Sequence, residues 1–182
     1  MGSILKAALV GCLLAGVSVS AFAAGALSNR RAPGFSLPDT NMKQHDPADY
    51  RGKVLLLEFM QTHCPTCKQQ TGVLEQIRAK YGAKIQVLSV VVMPDTMDNV
   101  KAYIKDNGVG SPILFDCGQM TASYLNITPQ NPKVQFPHLF LIDPNGTIRQ
   151  DFNAQDANSG KVNAKTLAAE IDKLLQAAPQ KR

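Results

Sequence analysis

Two cysteines three positions apart, Cys64 and Cys67, enclose Pro65 and Thr66. A C-x-x-C pair can exchange disulfides, supply half of a zinc site, or close a static bridge. The neighbouring residues favour exchange. The pair directly follows Val54-Leu55-Leu56-Leu57-Glu58-Phe59-Met60, a nearly continuous apolar run of the kind that forms a strand buried on both faces. Beyond Cys64 the period changes. Leu74, Ile77 and Tyr81 fall at helical spacing, and Gly82 closes the pattern. A helix start presents unpaired N–H groups and a positive dipole end, and both stabilise a thiolate on Cys64. Cys67 lies one turn later, within disulfide reach and more buried. Cys64 is therefore expected to attack a partner's disulfide and Cys67 to resolve the mixed disulfide. Zinc needs about four ligands. The chain offers no second C-x-x-C, and its histidines are His45, His63 and His138. A static bridge over two intervening residues would restrict the unfolded chain little. We expect no metal and no cofactor.

The other cysteines fit no disulfide framework. Cys12 lies in the leader described below. Cys117 follows the apolar run Ile113-Leu114-Phe115 and Asp116. It reads as a small buried residue, since free cysteine is among the most buried types; the sharper alternative is a third redox thiol.

The elements that must position the pair follow from the periodicity. Ile85–Val92 is a second buried strand, and Thr96–Asp106 a helix ended by Asn107-Gly108. Pro112–Asp116 is a short strand, Gln119–Leu125 a short helix, and Ile127–Gln135 a loop with two prolines. His138–Ile142 is a strand that turns at Asp143-Pro144-Asn145-Gly146 into an antiparallel partner over Thr147–Phe152. Leu167, Ile171, Leu174 and Leu175 mark a last helix. This order implies an α/β fold with a mixed central sheet and helices on both faces. The 182 residues suit one such domain. No repeat occurs at a solenoid or propeller period. The net charge of +5 is scattered, which argues against a nucleic-acid partner.

Residues 1–23 are an address. Lys6 precedes an acid-free apolar run that ends in Ala21-Phe22-Ala23, an A-x-A pattern. We read a signal peptide cleaved after Ala23. The alternatives are an uncleaved anchor over Ala7–Leu27, about long enough to span a bilayer, and lipidation at Cys12 in Leu9-Val10-Gly11-Cys12. The stretch from Lys6 to Cys12 is short for a signal's apolar region. All three place the domain in the periplasm or otherwise outside the cytoplasm. Residues 24–31 are expected as a flexible lead-in, and 32–178 as the domain.

Leu57-Glu58-Phe59-Met60-Gln61-Thr62-His63-Cys64-Pro65-Thr66-Cys67 resembles the active-site strand and helix start of thioredoxin-like proteins. Phe136-Pro137-His138-Leu139-Phe140-Leu141-Ile142-Asp143-Pro144-Asn145-Gly146 resembles their Pro-x-x-Phe-Leu-Ile-Asp-x-x-Gly segment. The strand, helix and short strand–helix between the two motifs look like the TlpA-like bacterial envelope branch. Cys-Pro-Thr-Cys is similar to the tetrapeptide of the cytochrome c maturation thioredoxins. The resemblance covers about Ala32–Phe152. It implies a three-layer α/β/α sandwich and a thiol–disulfide oxidoreductase, tilted toward a monomeric reductase of protein disulfides served by a membrane electron donor. It makes Pro137 the cis-proline facing the cysteines and leaves the Phe136 backbone free to pair with a substrate strand. Glu58 falls where thioredoxins carry a buried acid beneath the second cysteine. Desolvation there would raise its pKa and let it exchange a proton with Cys67. The alternative for Glu58 is a polar sheet edge.

Two departures stand out. His63 replaces the tryptophan usual before the first cysteine, either lending positive charge to Cys64 and its substrate or standing as an exposed bystander. Gln70 stands where many TlpA-like proteins carry an acid. His138 reads as a strand residue. Two other functions share the fold. A peroxidase would resemble Pro-x-x-x-Thr-x-x-Cys, but Leu57 and Gln61 occupy those positions. A copper chaperone would use Cys64, Cys67 and a nearby histidine, although such proteins usually space their cysteines differently.

Overall fold

The computed structural model describes residues 25–177. The leader read over 1–23, with Cys12, and the residues from 178 onward lie outside that range. In chain order the elements are β1 (Arg30–Arg31), β2 (Leu37–Pro38), β3 (Gln44–His45), β4 (Val54–Met60), α1 (Pro65–Tyr81), β5 (Ile85–Val91), α2 (Met97–Asn107) and β6 (Ile113–Phe115). There follow α3 (Gln119–Leu125), β7 (His138–Ile142), β8 (Thr147–Phe152), α4 (Ala154–Asn158) and α5 (Ala164–Ala177). Six strands form one sheet in the order β1-β8-β7-β4-β5-β6, while β2 and β3 pair separately. β5 runs parallel to β4 and β6; β7 runs antiparallel to β4, and β8 to β7. The mixed sheet expected from the element order is present.

β4 lies in the sheet interior, and each of its seven residues is buried. Successive side chains on a strand point to opposite faces. Val54 and Leu56 pack with Leu74 and Ile77 of α1 and Leu167 and Ile171 of α5. Leu55, Leu57 and Phe59 pack with Tyr124 of α3 and with Phe140. Helices therefore cover both faces in three layers. Met60 joins Cys67, Val100 and Tyr103, which brings α2 against the start of α1. Each such fully buried side chain contributes about 1.5–3 kcal/mol. Glu58 shares the α1 face with Val54, Leu56 and Met60, at the centre of this packing.

The segment expected as a lead-in begins pairing before Ala32. Arg30 and Arg31 pair with Ile148 and Thr147. The Leu27 N–H and the Ser28 hydroxyl donate to Asp151 Oδ1 at 3.1 and 2.7 Å. An unpaired β8 edge is satisfied in this way, and two residues are too few to show a strand period. The short α4 has no helical period of its own in the sequence. A reciprocal cap between Asn153 and Asp156 starts it.

Cys117 corrects the expectation of burial: it is free and exposed. Its predecessor Asp116 is buried and accepts from the Thr121 N–H at 2.7 Å and the Thr121 hydroxyl at 2.8 Å, anchoring the first turn of α3. With Asp116 turned inward, the next side chain faces solvent.

Candidate active site

The cysteines sit where β4 hands over to α1. Cys64 has extended backbone and serves as the N-cap, and Pro65 occupies the first helical turn. Proline suits that place because its missing N–H would be unpaired anyway. The Cys67 N–H donates to Cys64 Sγ at 3.1 Å, so the sulfur takes over one of the helix's orphan donors. The same donor would stabilise a thiolate on Cys64. The two cysteines form a disulfide, with Cα atoms 5.2 Å apart. Cys67 is fully buried and Cys64 only partly. The partner-facing sulfur is thus the one at the helix start.

Asp95 ties down the turn that leads into Cys64. It is buried in the loop after β5. Its carboxylate accepts from the Thr62 N–H at 3.0 Å and from the Thr62 hydroxyl. No periodicity or spacing points to this residue in the sequence. His63 is exposed between Thr62 and Cys64. It lines a shallow surface cavity with Lys68, Asn99, Tyr103 and Asp106.

The two halves of the family-like pattern meet here. Cys64 Sγ lies 3.9 Å from the Phe136 carbonyl oxygen, across 72 residues of chain. The Phe136–Pro137 peptide is cis. The β4–β7 ladder stops at the Phe59–His138 pair, which leaves Phe136 off the ladder beside the attacking sulfur. Pro137 is buried and Phe136 half-buried. His138 opens β7 and is buried beside Asp151, with Nε2 3.4 Å from Oδ2.

Glu58 is fully buried, and the polar-edge alternative falls. It is also better paired than an isolated acid in an apolar run. Gln70 Nε2 donates to Oε1 at 2.9 Å, and the Ser89 hydroxyl donates to Oε2 at 2.8 Å. Ser89 is its register partner on β5. Gln70 lies one turn beyond Cys67 on the buried face of α1, so the amide that holds Glu58 and the resolving cysteine sit on one face of one helix. Burial, opposed only by these two hydrogen bonds, pushes the carboxyl up to about 7. Nearby, the Thr71 hydroxyl donates to the Cys67 carbonyl at 3.0 Å and meets the Tyr103 hydroxyl at 2.8 Å. Among the described residues, no three His, Cys, Asp or Glu side chains converge to hold a metal ion, so the copper alternative lacks a ligand set there.

Comparison with known proteins agrees with this geometry. The AhpC/TSA family profile matches residues 29–151. The chain is 26% identical over 150 residues to the thioredoxin-like protein YneN of Bacillus subtilis, covering 81% of each. It is 29% identical over 120 residues to the thiol-disulfide oxidoreductase ResA of Geobacillus kaustophilus, covering 65% of each, just under two thirds of that relative. A thiol:disulfide interchange protein of the thioredoxin family from Chlorobium tepidum superimposes with a TM-score of 0.66 at 20% identity, over 80% of this chain and 96% of that one. That likeness carries the fold.

Proposed function

This chain belongs to the AhpC/TSA family and is a thiol–disulfide oxidoreductase of thioredoxin-like fold, and we propose that it works outside the cytoplasm as a monomeric reductase of protein disulfides. One observation carries the reading: a disulfide whose outer sulfur caps a helix start beside the Phe136 carbonyl.

In the reduced protein the Cys64 thiolate attacks a substrate disulfide. A Cys64–substrate bond forms, and the first substrate thiolate leaves. The substrate chain lies along Phe136, whose backbone is off the ladder, with His63 and Pro137 at the rim. The Cys67 thiol then passes its proton to the Glu58 carboxylate and attacks Cys64 Sγ. This forms the Cys64–Cys67 disulfide and expels the second substrate thiolate, which takes a proton from solvent. A membrane electron donor would return the pair to the dithiol.

Insulin reduction driven by dithiothreitol tests the chemistry. The wild-type chain should turn over, Cys64→Ser should be inert, and Cys67→Ser should stall as a mixed disulfide with insulin. Turnover by Cys64→Ser would overturn the assignment. Equilibration with glutathione tests the direction. A potential near thioredoxin's, about −270 mV, supports a reductase, and one near about −120 mV would make it an oxidant. For the location, the reading expects an N-terminus at Ala24 in protein from the cell envelope.

A further inference from the structure

We propose that Gln70 and Ser89 are positioning residues that set the pH at which Glu58 can take the proton of Cys67. The inference rests on Glu58 acting as that proton acceptor.

Glu58 is fully buried, yet its carboxylate is held at both oxygens. The two donors come from different elements, Gln70 on α1 and Ser89 on β5. Both are neutral, and both donate to the ionised form of the acid. Hydrogen bonds of that kind favour the charged state, whereas burial opposes it. No cation offsets the burial. Around it, Cys67 of α1 clusters with Tyr103 of α2 and with Met60, the next residue on Glu58's face of β4, and Leu139 of β7 is the acid's register partner. Cys67 and Tyr103 are the titratable ones, and neither carries positive charge. The amide and the hydroxyl are thus the levers by which this site holds Glu58 ionised in the range where a thiol must be deprotonated. Their geometry also aims the carboxyl. With both oxygens engaged, it is held between α1 and β5 rather than left free to rotate.

Gln70 has a second property that makes it testable. Its other side lines a cavity of about 170 Å³ between α1 and the α4–α5 segment, with Thr66, Val73, Ala157 and Val162. A substituted side chain has room there, so replacements should not overpack the core.

The experiment uses the reduced chain and a chromogenic aryl disulfide. One coloured thiolate is released when Cys64 attacks, and a second when Cys67 resolves. The second phase is followed against pH. In the wild type it should slow as pH falls through about 7, where Glu58 becomes protonated. Gln70→Leu removes a donor to the ionised form, so the inflection should move up by about one pH unit, the scale of one hydrogen bond to a charged group. Near neutral pH this is roughly a fivefold slower second phase, approaching tenfold below about pH 6, with an unchanged first phase. Ser89→Ala should shift it the same way, and Ser89→Thr, which keeps the hydroxyl, should restore it. Gln70→Glu should raise it further, because two buried carboxyls within hydrogen-bond reach share one proton. A purely structural role would lower the denaturation midpoint without moving the inflection. An unmoved inflection in both Gln70→Leu and Ser89→Ala overturns the proposal. Glu58→Gln is the control for the underlying reading. If it keeps the wild-type profile, Glu58 is not the proton acceptor. If it flattens the profile while Gln70→Leu and Ser89→Ala leave theirs in place, the reading stands and this inference fails.

Discussion

At Glu58 the chemistry and the stability of the protein pull against each other. The folded carboxyl is raised from its ordinary 4.5 to about 7 by burial, while Ser89 and Gln70 hold it down. For an acid raised on folding, the folded state binds the extra proton between the two values. The stability gained this way is fully present below the unfolded value and is lost as pH rises through the folded one. A shift of this size corresponds to about 3 kcal/mol. We therefore expect urea unfolding of the wild type to show stability falling between about pH 5 and pH 8 by an amount that Glu58→Leu does not share. Around pH 5 the variant should be the less stable, by about 1–3 kcal/mol. There the wild-type carboxyl is neutral and hydrogen-bonded, and its removal leaves the Gln70 amide unpaired. Near pH 8 the order should converge or reverse. A poorly paired acid would instead predict stabilisation at every pH. Parallel pH dependences in the two proteins would mean that Glu58 does not titrate in this range.

At the scale of one element, α1 divides the work between its cysteines. Cys64 is the cap, partly exposed, with the Cys67 N–H on its sulfur. Cys67 is inside the first turn, packed with Met60 and Val100. In the reduced protein the helix start favours a thiolate on the first cysteine, and burial shields the second. Iodoacetamide titration of reduced Cys67→Ser and Cys64→Ser should show Cys64 reacting below about pH 7 and Cys67 at least roughly tenfold more slowly. Comparable rates would remove the helix-start argument. The same element shows how much was legible in advance. The spacing of Leu74, Ile77 and Tyr81 and the closing Gly82 give a helix over this range, and Gly82 indeed ends it at φ 54°. Gln70 registers in sequence only as a departure from a family pattern. Its partner lies 12 residues away on β4, and local periodicity does not report which side chain of a neighbouring strand a helix residue meets.

Across the whole molecule, the N-terminal segment closes the sheet. Arg30 donates to the Leu27 and Tyr124 carbonyls, and its guanidinium lies 5.9 Å from the centre of the Tyr124 ring. Leu27 packs against the α3-side core. Asp151 gathers the Leu27 N–H and the Ser28 hydroxyl on one side and His138, next to Pro137, on the other. Burial opposes ionisation of Asp151, but the neighbouring His138 ring and the Ser28 hydroxyl hold its carboxyl below the usual range. A chain beginning at Ala32 lacks these ties and exposes the β8 edge. Relative to a chain beginning at Ala24, it should lose about 2 kcal/mol, or about 5 °C in midpoint. Equal midpoints would make 24–31 a lead-in in the energetic sense too.

Sequence by itself determined the C-x-x-C between a buried strand and a helix, the element order and the mixed sheet, because periodicity and local chain chemistry are written along the chain. The resemblance to thioredoxin-like proteins singled out Phe136, Pro137 and Glu58. Only the tertiary structure brought Phe136 to Cys64, paired Glu58 with Gln70 and Ser89, set Asp95 beneath Thr62 and turned Cys117 outward. Those are contacts between residues distant in sequence, or consequences of which way one buried neighbour points. Such contacts are decided by packing, since a buried polar group must find its partner wherever the fold places one.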